Sequence, residues 1–79
     1  MPYINQSDRE EISKGRQPTT SGELNYLITT IIFDYYNRYP CYSLINDVVG
    51  ALEGAKLEFY RRVAAPYEDK KVKENGDVY

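Results

Sequence analysis

Apolar positions recur at helical spacing in two long stretches of the chain. Leu24, Leu27, Ile28, Ile31 and Tyr35 fall at i, i+3, i+4, i+7 and i+11, which predicts a helix over about 21–38. Ile32, Phe33 and Tyr36 widen its apolar surface beyond what one partner helix covers. A helix apolar over more than half its circumference is usually buried on two sides. In so short a chain, the second side is most simply covered by another subunit. Ile45, Val48, Val49, Leu52, Ala55, Phe59 and Val63 predict a second long helix over about 43–65, with Ser43 as N-cap and Pro66 blocking continuation. Gly50 and Gly54 lie one turn apart inside it. An interior glycine costs about 1 kcal/mol relative to alanine, so the pair suggests close approach of another helix, with ligand contact the lesser alternative.

The segments between and around these helices are polar. Ser7 and Glu10 have capping-box spacing, and 7–14 reads as a short N-terminal helix or an ordered arm, with Ile12 its only apolar residue. Gly15-Arg16-Gln17-Pro18 ends it. Thr20 and Glu23 form a second capping box at the start of the first long helix, and 37–41, with Pro40, closes that helix. Tyr42 is placed to act as a hydrophobic staple. From Pro66 onward the composition predicts an irregular tail over 66–79, with a turn at Asn75-Gly76. A frayed, disordered tail is one reading, and Tyr67, Val72, Val78 and Tyr79 favour the other, since they give it enough apolar surface to dock on a neighbouring subunit. The expectation is an all-α fold, one domain over 1–79, assembled as a homo-oligomer.

Length strengthens the last point. A chain of 79 residues buries only roughly 60–65 % of its unfolded surface and has a marginal core. Such chains add disulfides, metal or association. Cys41 is alone and there is no histidine, so neither an internal disulfide nor a zinc site can form. Association remains, and a dimer or a higher symmetric assembly is expected.

Charge and composition narrow the function. Ten basic and twelve acidic residues leave a formal charge of −2, which argues against duplex nucleic acid as a partner. No signal-peptide h-region and no apolar run of membrane length is present, so a soluble cytoplasmic protein is expected. Nine tyrosines accompany the absence of histidine and tryptophan. Tyrosine suits surfaces that are part dry and part wet, and without histidine no side chain has an ordinary pKa near neutrality. The composition points to a binder without cofactor rather than an enzyme.

No catalytic constellation contradicts this. Cys41 has no histidine partner, and Glu53 and Glu58 fall on different helix faces, which leaves a magnesium-dependent hydrolase a minor alternative. The basic residues offer more. Tyr60-Arg61-Arg62 lies near the end of the second long helix, with Lys56 one turn earlier and Tyr67, Lys70 and Lys71 just beyond. These cations suit a helix C-terminus and need do no more than that. Alternatively Arg61, Arg62 and Lys70 contact phosphates while Tyr60, Tyr67 or Tyr26 stacks on bases. Asn25 or Thr29 would read a base edge, and Gly22 would offer free N–H groups to an anion. Tyr35 and Tyr36 are assigned to packing. Tyr3, Tyr26, Tyr60, Tyr67 and Tyr79 lie at chain or helix ends, where ligands and partners are met.

Several blocks carry a resemblance. Met1-Pro2-Tyr3-Ile4, Gly22-Glu23-Leu24-Asn25-Tyr26-Leu27-Ile28-Thr29, Tyr60-Arg61-Arg62-Val63-Ala64-Ala65-Pro66-Tyr67-Glu68-Asp69-Lys70-Lys71 and Asn75-Gly76-Asp77-Val78-Tyr79 resemble a family of very short phage and bacterial proteins. The chain also looks like the phage proteins that sequester nucleotide immune signals, in particular the anti-CBASS sponges that bind cyclic dinucleotides as small oligomers. That resemblance implies a cyclic dinucleotide bound without cleavage, in the host bacterial cytoplasm, and with it the expected assembly is a tetramer built from dimers. The alternative expectation is a helical phage adaptor or structural oligomer that meets a host protein through its tyrosine-rich surface.

Overall fold

The computed structural model describes residues 4–79, and every regular element among them is helical. The helices are α1 (Gln6–Ser13), α2 (Ser21–Asn37), α3 (Tyr42–Phe59), a π-helical turn (Tyr60–Ala64) and α4 (Ala65–Asn75). The chain divides into two compact units, Met1–Ile45 and Asn46–Tyr79, with the boundary inside the first turns of α3.

In the first unit, α1 is capped by Asn5, whose side chain accepts the Asp8 N–H at 2.8 Å. The cap therefore lies two residues before the predicted Ser7, because the amide of Asn5 already satisfies a free N–H of the first turn. Gly15 follows α1 at φ +111°, a conformation that side chains with a Cβ rarely adopt, and its N–H donates to the Ile12 carbonyl at 3.0 Å. α2 begins where its capping pattern predicts: Thr20 Oγ1 accepts the Glu23 N–H at 3.1 Å. The Glu23 carboxylate does not return to Thr20, however. It is drawn one residue further, to the N–H and hydroxyl of Thr19. α1 and α2 pack against each other, and the buried hydrophobic side chains among the described residues are Ile4 and Ile12, at 5 % and 3 % exposure.

The second long helix departs from its predicted ends. It starts at Tyr42, with the Ile45 N–H donating to the Cys41 carbonyl, so Ser43 lies inside the first turn rather than capping it. Tyr42 is exposed rather than stapled. At the other end Pro66 does not stop the helix. Its ring would meet the carbonyl four residues back in α geometry, and it has no N–H to donate. The wider π turn falls on the residues where that collision would occur, with the Ala65 N–H donating to the Tyr60 carbonyl five residues back. Pro66 then occupies the first turn of α4, where no N–H is needed. The predicted irregular tail over 66–79 is thus helical as far as Asn75. Gly76 ends α4 at φ +83°, its N–H bound to the Val72 carbonyl at 2.8 Å, and only 76–79 are irregular.

No side chain in Asn46–Tyr79 is buried. Val49, Leu52, Phe59 and Val63 are exposed, as are Leu24, Ile28, Ile31 and Phe33 of α2. A Cβ built on Gly50 or Gly54 meets nothing within 4 Å, so the close helix approach expected at these glycines is not made within the described chain. Gly50→Ala and Gly54→Ala are each expected to stabilise α3 by about 1 kcal/mol through helix propensity alone. Thermal melts followed by circular dichroism at 222 nm would check this, and a fall in stability would place a neighbour against that face.

Candidate functional site

The eight residues predicted to bind ligand fall into both units. Asn25, Tyr26 and Thr29 belong to α2 in the first unit. Tyr60, Arg61 and Arg62 occupy the π turn, and Tyr67 and Lys70 lie on α4, in the second. Tyr3, grouped above with the tyrosines at chain ends, lies outside the described residues.

On α2, Thr29 Oγ1 donates to Asn25 Oδ1 at 3.3 Å, so the two candidate base-reading groups already engage each other. Asn25 also lines a hollow of about 550 Å³ at the N-terminus of α2, with Thr20, Ser21 and Gly22. Tyr26 turns to α1 instead. Its hydroxyl lies 3.4 Å from that of Ser13. With Gln6, Arg9, Glu10, Ser13 and Lys14 it lines a cleft of about 460 Å³. Gln6, Arg9, Glu10 and Ser13 stand at i, i+3, i+4 and i+7 and so share one face of α1. Tyr26 is legible in the sequence as a ligand candidate, but Arg9 and Lys14 are not, because a polar eight-residue segment gives no sign of which face meets α2.

The polar centre of the same unit is Glu23 with its partners. Glu23 is 7 % exposed. Its Oε1 accepts from the Thr19 N–H at 3.0 Å, the Thr19 hydroxyl at 3.1 Å and Arg16 Nη1 at 3.1 Å. Arg16 also reaches Asp8 at 3.3 Å and Glu11 at 3.8 Å. The hydrogen bond from the Thr19 backbone, followed by that from Arg16, holds the Glu23 carboxyl below the ordinary carboxylate range. The hydrogen bond to Glu23 and the surrounding carboxylates move Arg16 in the opposite sense, upward.

In the second unit the arginines of the π turn share one carboxylate. Arg61 Nη2 donates to Glu58 Oε2 at 3.3 Å, and Arg62 Nε donates to Glu58 Oε1. All three side chains are exposed. Tyr60 Oη donates to Glu68 Oε2 at 3.3 Å, tying the π turn to α4. The charge of Glu68, then this hydrogen bond, pushes the Tyr60 phenol up. Lys71 Nζ lies 5.6 Å from the centroid of the Tyr67 ring and pairs with Glu74 at 3.2 Å. Tyr67, Lys71, Val72, Val78 and Tyr79 are among the residues lining a hollow of about 480 Å³ beside the end of α4. The carboxylates of α3 are engaged on its surface, Glu53 with Lys56 and Glu58 with the arginines.

These features define a small all-α protein in which Tyr60, Arg61, Arg62, Tyr67 and Lys70 stand on exposed helix surface. The chain belongs to the DUF6899 family, described as a domain of unknown function, which matches residues 1–78. No curated protein and no solved structure matches it. No helix of the described residues is long and apolar enough to cross a membrane.

A carboxylate with a depressed pKa stabilises the fold above the ordinary carboxylate range, and that contribution is lost as pH falls through the lower, folded-state value. Glu23→Gln is therefore expected to be less stable than the parent at pH 7 and to converge on it in acid. Melting temperatures collected from pH 7 down to pH 3 would test this, and parallel curves for the two proteins would remove Glu23 from the acid response.

Proposed function

We propose that this protein binds a cyclic dinucleotide signal non-covalently and sequesters it, as a homo-oligomer, without cleaving it. The observation that carries the reading is the interleaving of rings and cations on one exposed helical run. Tyr60, Arg61 and Arg62 occupy the π turn, and Tyr67, Lys70 and Lys71 follow on α4. Glu58 is the one carboxylate paired with both guanidinium groups. A phosphate diester can replace or supplement it, with charge-assisted hydrogen bonds roughly twice as strong as neutral ones. Tyr60 or Tyr67 supplies a stacking face.

Assembly is supported by the apolar side chains that each unit leaves exposed. On α2, Leu24, Ile28, Ile31 and Tyr35 form one stripe and Phe33 faces the other way, at 60 % exposure for Ile31 and 58 % for Phe33. A single partner helix can cover only one of these faces, so further copies of the chain are the simplest cover for both. The phage origin, the host cytoplasm and the tetramer belong to this reading through the sequence resemblance.

A thermal-shift screen with cyclic dinucleotides, cyclic trinucleotides and cyclic ADP-ribose isomers is expected to raise the melting temperature for one class. The shift should vanish in Arg61→Ala or Arg62→Ala, and denaturation should release the ligand intact at no more than one per chain. Recovery of a cleaved product would favour a hydrolase. The second reading, an adaptor for a host protein, is favoured by the same exposed apolar residues, since aromatic and arginine side chains are enriched in protein interfaces. It predicts silence across the nucleotide panel and a defined host protein in pull-downs.

A further inference from the structure

The five arginines of the chain are Arg9, Arg16, Arg38, Arg61 and Arg62. Four have a partner for the guanidinium. Arg16 pairs with Asp8, Glu11 and Glu23, Arg61 and Arg62 share Glu58, and Arg38 lies 4.7 Å over the centroid of the Tyr35 ring. Arg9 forms no ion pair among the described residues, and its Nε is enclosed by protein without a hydrogen-bond partner. Enclosing a charged donor without an acceptor is unfavourable. An arginine cannot relieve that cost by giving up its proton.

The same side chain lines the cleft between α1 and α2. A second cation, Lys14, lines it too, and forms no ion pair among the described residues. The single acid in the lining is Glu10, whose carboxylate accepts from Gln6 Nε2 at 3.4 Å. Two cations against one engaged carboxylate leave the cleft with a positive balance. Tyr26 adds a ring from α2, and Ser13 and Gln6 add neutral polar groups. At about 460 Å³ the cleft lies within the usual range of small-ligand sites. Cations that fix an anion beside a ring that stacks on a planar group form a recognition set for an aromatic phosphate.

We propose that the α1–α2 cleft is a separate binding site for a nucleoside phosphate, with Arg9 and Lys14 on the phosphate and Tyr26 against the base. Turning the Nε–Nη edge of Arg9 towards a bound phosphate gives the enclosed donor its acceptor, in the bidentate geometry that guanidinium groups favour. The site lies wholly within the first unit and does not depend on nucleotide binding at Arg61 and Arg62.

Titration of the full chain with AMP, followed by amide and side-chain NMR shifts, tests it. The expected result is saturable shifts centred on Gln6 to Lys14 and Tyr26, with AMP binding at least tenfold tighter than inorganic phosphate or adenosine alone. Arg9→Gln and Lys14→Gln should each weaken binding about tenfold or more, while Arg61→Ala with Arg62→Ala leaves it unchanged. Lys14 is exposed, so Lys14→Gln retains the fold and keeps the test decisive if Arg9→Gln does not fold. No saturable shift in this segment, or undiminished binding in Lys14→Gln, overturns the proposal. A loss that appears only with the Arg61 and Arg62 substitutions overturns it equally, and assigns the binding to the second unit.

Discussion

The Glu23 carboxylate accepts three hydrogen bonds on one oxygen while almost wholly enclosed, and the first unit is organised around it. A buried carboxylate is tolerated only when it is paired and hydrogen-bonded. Thr19 and Arg16 meet that demand, and Arg16 extends the network to Asp8 and Glu11 on α1. One carboxylate thereby fixes the loop after Gly15, the start of α2 and the seat of α1. The apolar share of this packing is small, Ile4 and Ile12. Breaking such a centre from one side leaves a charge enclosed without its partner, which is more damaging than removing the pair altogether. The cleft bearing Arg9, Lys14 and Tyr26 exists because this network holds α1 against α2.

The second unit is governed by the opposite circumstance. It has no enclosed centre, and its helices are held by their own backbone hydrogen bonds and by surface pairs such as Glu58 with Arg61 and Arg62. Exposed pairs of this kind contribute little, commonly below about 1 kcal/mol each. Isolated helices are marginal in water, because most helix stability in proteins comes from packing an apolar face. The exposed Val49, Leu52, Phe59 and Val63 are that face. The π turn serves continuity here: it accommodates Pro66 and carries the helix on into α4, with Tyr60 bridging to Glu68 across the change of register.

Much of the secondary structure was legible in the residues. The stripe from Leu24 to Tyr35 predicts α2 to within a residue of its observed end, since a 3.6-residue period over five positions has no other regular solution. Thr20 before Glu23 marks its start for a local reason, the free N–H groups of a first turn. Errors cluster where neighbours in space compete with neighbours in sequence. Ser7 has a good cap pattern, yet Asn5 takes the role. Pro66 reads as a stop, yet a π turn absorbs it, and nothing in the composition of Tyr60–Ala64 announces the wider register. Of the candidate ligand residues, those on the π turn and α4 lie close in sequence and could be grouped from it. The pairing of Tyr26 with Arg9 and Lys14 crosses a loop and could not.

The sequence by itself determined that the chain is helical, where α2 runs, that catalysis by histidine is impossible, and that nine of its side chains are tyrosine. These follow from periodicity and composition, which are local properties. Only the tertiary structure decided that Glu23 lies enclosed with Arg16 and Thr19, and that Tyr26 shares a cleft with Arg9 and Lys14. It likewise decided that the glycine pair of α3 faces open space. Each of these depends on which face of one helix meets another, and a hydrogen bond or cleft across a loop is set by that packing rather than by spacing along the chain.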